Sequence, residues 1–218
     1  MIILALDTCL AACSVAILDG DRVLARRVEL MTRGHQERLA PLVAEAMAEA
    51  GLKFDQLQRV GVTVGPGSFT GLRVGLAFAK GLGQALSIPV IGIGVLEALA
   101  VPHKGLPDDV VTVLEAKRGQ VFLQAFSGGK PLMAPEGLAI EVAVARLLAL
   151  TDLDSMTLVG TGAGHLRDAF PNASVIQVDH ADPVVVARLA VTKLIVPPQP
   201  LYLRAPDAKL PGGRELPA

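Results

Sequence analysis

Ile2-Ile3-Leu4-Ala5-Leu6-Asp7 opens the chain, and Val110-Val111-Thr112-Val113-Leu114-Glu115 repeats it half a chain later. Both are apolar runs that close on an acid. Short β-branched and apolar runs bounded by turn residues read as strands. Each is followed by a second strand and a glycine turn: residues 13–18 with Asp19-Gly20, then residues 121–126 with Ser127-Gly128-Gly129-Lys130. Glycine accepts the positive φ that a tight hairpin demands. A pattern that returns in this way suggests a duplicated domain, and an α/β protein of two related lobes.

Working outward from the first copy, residues 23–30 add a third strand to an antiparallel meander. A helix follows over residues 35–50, where Leu39, Leu42, Val43, Ala46 and Met47 recur at helical spacing. Pro41 lies inside it and cannot donate to the carbonyl of Glu37, which predicts a kink or a late helix start. Gly51 suits the C′ position. A strand at residues 60–64 leads through Gly65-Pro66-Gly67-Ser68 into a helix over residues 70–86, with Ser68 or Thr70 as its cap. Residues 90–93 form a strand and residues 96–101 a short helix. Proline, glycine and charge gather at residues 102–109, which places the lobe boundary there: 1–103 and 104–218. The second half then predicts a helix over residues 140–150, a strand over 157–160, and a glycine turn (Gly160-Thr161-Gly162-Ala163-Gly164) into another helix. The last helix starts at Asp182-Pro183, an N-cap followed by proline at the first helical position. Beyond Leu194 the chain is Pro-rich and extended, with Tyr202-Leu203-Arg204 as its distinctive patch.

The chain has 218 residues, 51% of them hydrophobic, enough for one large core or two small ones. Trp is absent, so Ala, Val, Leu and Ile must fill it. A formal net charge of −1 lacks the basic surplus of a protein that grips nucleic acid alone. Any RNA contact is therefore expected through another chain. Two cysteines, Cys9 and Cys13, give no disulfide framework and suit a reducing compartment. They read as small buried hydrophobes. No basic n-region precedes the apolar start, and no apolar run reaches the roughly 20 residues of a membrane span. The expectation is a soluble cytoplasmic protein.

Four features could carry chemistry. Asp7-Thr8, at a strand end before a hairpin, could sit beside a phosphate and its Mg²⁺ with Glu115 facing it across a cleft; alternatively Asp7 only caps the turn. The stretch from Gly65 to Gly71 could hold an anion at a helix N-terminus. It lacks the Gly-Lys-Ser/Thr of a P-loop, and Thr70 replaces the third glycine of a dinucleotide fingerprint, so a tight capped turn is the preferred reading. The turn from Gly160 to Gly164 is a weak signal of the same kind. Finally Gly71, Gly75, Ala79 and Gly83 form a ridge without side chains along one helix. Each helical glycine costs roughly 1 kcal/mol against alanine, and close approach of another helix would offset that. The partner could be in the same lobe or in another chain. The sharper reading makes these four, with Leu39, Leu42, Val43 and Met47 of the preceding helix, a subunit interface. The four histidines lie apart with no i, i+4 pair, and no Ser or Cys has a nearby base signature.

Together these segments resemble the TsaB (YeaZ) family. The matching residues are Ile3-Leu4-Ala5-Leu6-Asp7-Thr8, residues 12–16, His35 with Leu39 and Pro41, and above all Gly65-Pro66-Gly67-Ser68-Phe69-Thr70-Gly71-Leu72-Arg73-Val74-Gly75. Residues 115–122 and Tyr202-Leu203-Arg204 match more loosely. The resemblance implies the actin-like ATPase superfamily fold with two duplicated RNase H-like lobes. It implies a non-catalytic companion of TsaD in N6-threonylcarbamoylation of adenosine 37 in tRNAs reading ANN codons, with the ATPase TsaE joining and tRNA contacted only through the complex. TsaD carries two metal-binding histidines four apart; here the pair is His35 and Leu39, and one imidazole cannot form that site. The family more often has Asp where this chain has Glu115, which argues against an intact Mg-nucleotide site, while Asp7 and Thr8 leave weak ATP or ADP binding open. A homodimer through the same helices is expected when TsaD is absent. The alternatives are a stand-alone nucleotide-hydrolysing enzyme and a metallopeptidase.

Overall fold

The computed structural model describes residues 1–106, 108–150 and 156–204. The first sheet holds β1 (Ile2–Asp7), β2 (Ala12–Asp19), β3 (Arg22–Leu30), β4 (Arg59–Thr63) and β5 (Val90–Ile93), in the order β3-β2-β1-β4-β5. β1, β2 and β3 form the antiparallel meander, and β4 and β5 run parallel to β1. The second sheet holds β6 (Asp109–Ala116), β7 (Gln120–Ser127), β8 (Lys130–Pro131), β9 (Glu136–Ala139), β10 (Met156–Val159) and β11 (Ser174–Ile176). Its order is β11-β10-β6-β7-β8, and β9 also pairs with β7. β6 has β7 antiparallel on one side and β10 parallel on the other, as β1 has β2 and β4. The repeat legible in the two acid-ended runs is thus a repeat of wiring.

Among the described residues five α-helices cover these sheets: α1 (His35–Ala50), α2 (Phe69–Leu86), α3 (Val95–Ala100), α4 (Ile140–Leu148) and α5 (Pro183–Thr192). α1 and α2 lie on one face of the first sheet, where Leu4, Leu6, Val15 and Ile17 meet Leu39, Leu42, Val43 and Leu76. The opposite face, carrying Ile3, Ala5, Ala16 and Leu18, is covered by Val186, Ala187 and Ala190 of α5. Burial on both faces explains why β1 and β2 are apolar throughout and do not alternate. α5 comes from the second half of the chain, and α3 from the first half packs on β6. Each half lends a helix to the other sheet, so the packed units do not follow a single cut in the sequence.

Helix ends follow side-chain chemistry. Ser68 Oγ accepts from the N–H of Gly71 at 3.2 Å, and Asp182 Oδ1 accepts from Val184 N–H at 3.0 Å. Gly51 takes φ 67° and ends α1, with Leu52 N–H bonded to Met47 O. The late start predicted from Pro41 does not occur: α1 begins at His35, and Pro41 sits on its exposed side. The helix predicted after Gly164 is only a 3₁₀ turn, Ala163–Leu166, and β11 was not anticipated. Of the Pro-rich extension, residues 205–218 lie outside the described residues, as do residue 107 of the predicted boundary and residues 151–155.

Candidate docking face and interlobe cleft

Asp7 ends β1 in complete burial. Its Oδ1 accepts from Thr63 Oγ1 and from the Cys9 N–H at 2.9 Å, while Oδ2 is buried without a hydrogen-bond partner. Burial pushes the Asp7 carboxyl above its ordinary value, against the bonds from Thr63 and Cys9 that lower it. The turn-capping reading describes this geometry. Thr8 is equally buried, and its hydroxyl donates to Gly71 O at 2.7 Å. Glu115 is exposed; its N–H donates to Thr161 Oγ1 at 3.0 Å and its carboxylate lies 3.7 Å from His165 Nε2. Glu115 lines the cleft between the lobes and Asp7 does not. The facing pair of carboxylates expected from the sequence is not assembled. Among the described residues no group of three or more His, Cys, Asp or Glu is placed to hold a metal.

The glycine ridge of α2 has a local cause. A Cβ on Gly71 would stand 1.9 Å from Thr8 O, one on Gly75 2.4 Å from Thr8 Oγ1, and one on Gly83 2.3 Å from Val90 Cγ2. The helix lies directly on the β1–β2 turn, and the side-chain-free face makes that approach possible. Gly71, Gly75, Ala79 and Gly83, with Leu42, Val43 and Met47, are all buried in the chain's own core. Leu39 is 1% exposed. The residues chosen as an interface are therefore inward-facing, apart from the edge of Leu39 that floors a surface groove.

That groove, about 540 Å³, lies over the outer side of α1 and α2. Gln36 borders it on α1, and Phe69, Arg73, Val74, Ala77 and Phe78 on α2. Val74 and Phe78 are one turn apart on the flank of the helix beside the glycine ridge, half-buried against the core. The signal for them was in the sequence, because α2 is apolar nearly all round. The second concavity, about 610 Å³, is the cleft between the lobes, with Gly67, Ser68 and Thr70 on one wall and Glu115, Lys117 and Thr161 on the other. Tyr202, Leu203 and Arg204 run along it. Arg73 separates the two concavities: its guanidinium lies 3.7 Å over the Phe69 ring, and its Nε donates to Tyr202 Oη at 3.1 Å.

Against known proteins, this two-lobed chain matches a family model described as TsaD: tRNA N6-adenosine threonylcarbamoyltransferase, over residues 28–151. It is 33% identical over 210 residues to an uncharacterized protein of Mycobacterium tuberculosis, covering 95% of this chain and 93% of that one. An uncharacterized protein of Mycobacterium leprae is 35% identical over 215 residues, with 95% of this chain but 56% of that protein covered. The tRNA threonylcarbamoyladenosine biosynthesis protein TsaB of Escherichia coli is 35% identical over 124 residues, about half of each chain (56% and 53%). Among solved structures, a Pseudomonas aeruginosa protein described as similar to peptidase YEAZ superposes with a TM-score of 0.80 at 27% identity, covering 93% and 99% of the two chains. A Listeria monocytogenes protein described as a putative N-acetylmannosamine kinase shares the fold, with a TM-score of 0.53 at 12% identity over 88% and 99% of the two chains. The fold is the two-lobed α/β architecture that the repeat implied, of the actin-like ATPase type that the family resemblance implied. The chain belongs to the TsaB/YeaZ family. Among the described residues no helix is long and apolar enough to cross a membrane.

Proposed function

We propose that this chain is a non-catalytic subunit in the biosynthesis of tRNA threonylcarbamoyladenosine, binding and supporting a TsaD-type enzyme that threonylcarbamoylates N6 of adenosine 37 in tRNAs reading ANN codons. The observation that carries the reading is the apolar groove over α1 and α2 in a member of this family. Phe69 at 45% exposure, with Val74, Ala77 and Phe78, leaves an apolar helix face that a partner would cover. Leu39, which stands four residues after His35, packs in the core, so its position offers hydrocarbon where a paired histidine would be needed. Neutral overall charge fits tRNA contact made through the complex. TsaE would join the same assembly, and without TsaD the same face would pair two copies of this chain. The test is tRNA threonylcarbamoylation by the cognate TsaD, TsaE and donor synthase, with and without this chain. Modification that requires the chain and survives Asp7→Asn supports the proposal. Modification that proceeds equally without it overturns the proposal.

A further inference from the structure

We infer that residues 198–204 are a built-in strap that runs along one side of the interlobe cleft and couples the two lobes. The attachments fall on both lobes. On the first, Leu201 N–H donates to Val64 O at 2.8 Å and Tyr202 Oη accepts from Arg73. On the second, Arg204 Nη1 donates to the Lys117 carbonyl at 3.3 Å in the β6–β7 turn.

The glycines give independent support. A Cβ on Gly92 of β5 would stand 3.1 Å from Pro198 Cβ, and one on Gly65 would stand 3.0 Å from Leu201 O. A Cβ on Gly137 of β9 would stand 2.7 Å from Leu203 O. Glycine within a strand weakens the strand and marks close approach of another backbone. At Gly137 the approaching backbone is the strap, and at Gly92 the strap's Pro198 ring comes close beside the Val64 side chain. Without a seated strap, Gly92 would still have Val64 Cγ1 within 2.8 Å and Gly137 would have Phe122 Cδ1 at 3.2 Å, but nothing would require the Leu203 and Leu201 carbonyls to lie where they do. The inference does not depend on which partner docks on α1 and α2.

The test perturbs one lobe and reads the other. In the full chain, amide exchange of Leu201, whose bond is to the first lobe, is measured in the parent and in Gly137→Ala, which touches the strap only on the second lobe. The expected result is a protected Leu201 amide in the parent and at least tenfold faster exchange in Gly137→Ala, with protection inside β1 unchanged. If Gly137→Ala does not fold, Arg204→Ala, at a half-buried side chain, replaces it with the same expectation. A Leu201 amide that is unprotected in the parent, or that exchanges equally in parent and variant, would overturn the inference.

Discussion

Gly71→Ala tests the account of α2 directly. The added methyl would stand 1.9 Å from the Thr8 carbonyl oxygen, where ordinary contact begins at 3.4 Å, so about 1.5 Å must be recovered by backbone movement. Neither side yields cheaply: Thr8 follows β1, the central strand of its sheet, and Gly71 is in the first turn of α2. The retreat also stretches the Thr8 Oγ1 bond to Gly71 O. Overpacking of this kind costs about 1–3 kcal/mol and a weakened buried hydrogen bond about 1 kcal/mol. Alanine's helix preference returns about 1 kcal/mol, leaving a net loss of about 2 kcal/mol. Gly81→Ala in the same helix is the control, because a Cβ there meets nothing within 4 Å. It should gain up to about 1 kcal/mol. With a urea slope of roughly 2 kcal/mol/M, the Gly71→Ala midpoint falls by about 1 M and the Gly81→Ala midpoint rises. Equal rises for both would refute the claim that the ridge exists to admit the β1–β2 turn.

Asp7→Asn keeps an oxygen for Thr63 and Cys9 and removes a charge that burial disfavours, so the variant should be at least as stable as the parent at pH 8 by urea midpoint. Because the folded pKa lies above the ordinary 3.8, the folded chain binds the proton more tightly; parent stability falls as pH rises from 3.8 through the folded value, and the variant lacks that slope. Arg38 bridges Glu29 and Glu45, and its hydrogen bonds hold both carboxyls below their ordinary 4.5. That contribution is present above 4.5 and is lost as pH falls through the folded values, so the Tm deficit of Arg38→Ala should shrink in acid and in 1 M salt. Ala77→Arg places a long cation in the groove without opening the core, since Ala77 is exposed. It should leave Tm within about 2 °C, a surface-substitution effect, and weaken TsaD binding at least about 30-fold, or roughly 2 kcal/mol, as read by calorimetry. Unchanged affinity would move the docking face elsewhere.

What the sequence could disclose divides along a physical line. Local signals were sufficient for most helix ends and for the described strands other than the short β8, β9 and β11, because Ile2–Asp7, Gly51, Ser68 and Asp182 act through neighbours in the chain. The duplication was legible because β1 and β6 are buried on both faces and carry the same continuous apolar run. The fate of the glycine ridge was not legible. Spacing says that a face is smooth, but only the position of Thr8 and Val90 says what lies against it. The same limit hid Tyr202, whose partner Arg73 is 129 residues away, and the exchange of α3 and α5 between sheets. The 3₁₀ turn at Ala163–Leu166 was overread as a helix for a related reason. Cβ atoms on Gly160 and Gly162 would crowd β6, a tertiary contact that the glycine turn by itself does not announce.

At three places the chain's own groups line or fill the corners of this fold. The Asp7 side chain turns into the core and spends its contacts on Thr63 and Cys9. The Thr8 hydroxyl donates to the Gly71 carbonyl in the first turn of α2. The cleft between the lobes is lined along its length by Tyr202, Leu203 and Arg204. Of these, the Thr8–Gly71 bond ties the first turn of α2 to the end of β1. A firmly seated α2 holds Phe69, Val74 and Phe78 in fixed register on the outside, and a pre-set apolar face binds with less ordering cost than a mobile one. Loosening the seat of α2 through Gly71 should therefore degrade binding at the outer groove, even though Gly71 is buried away from that groove.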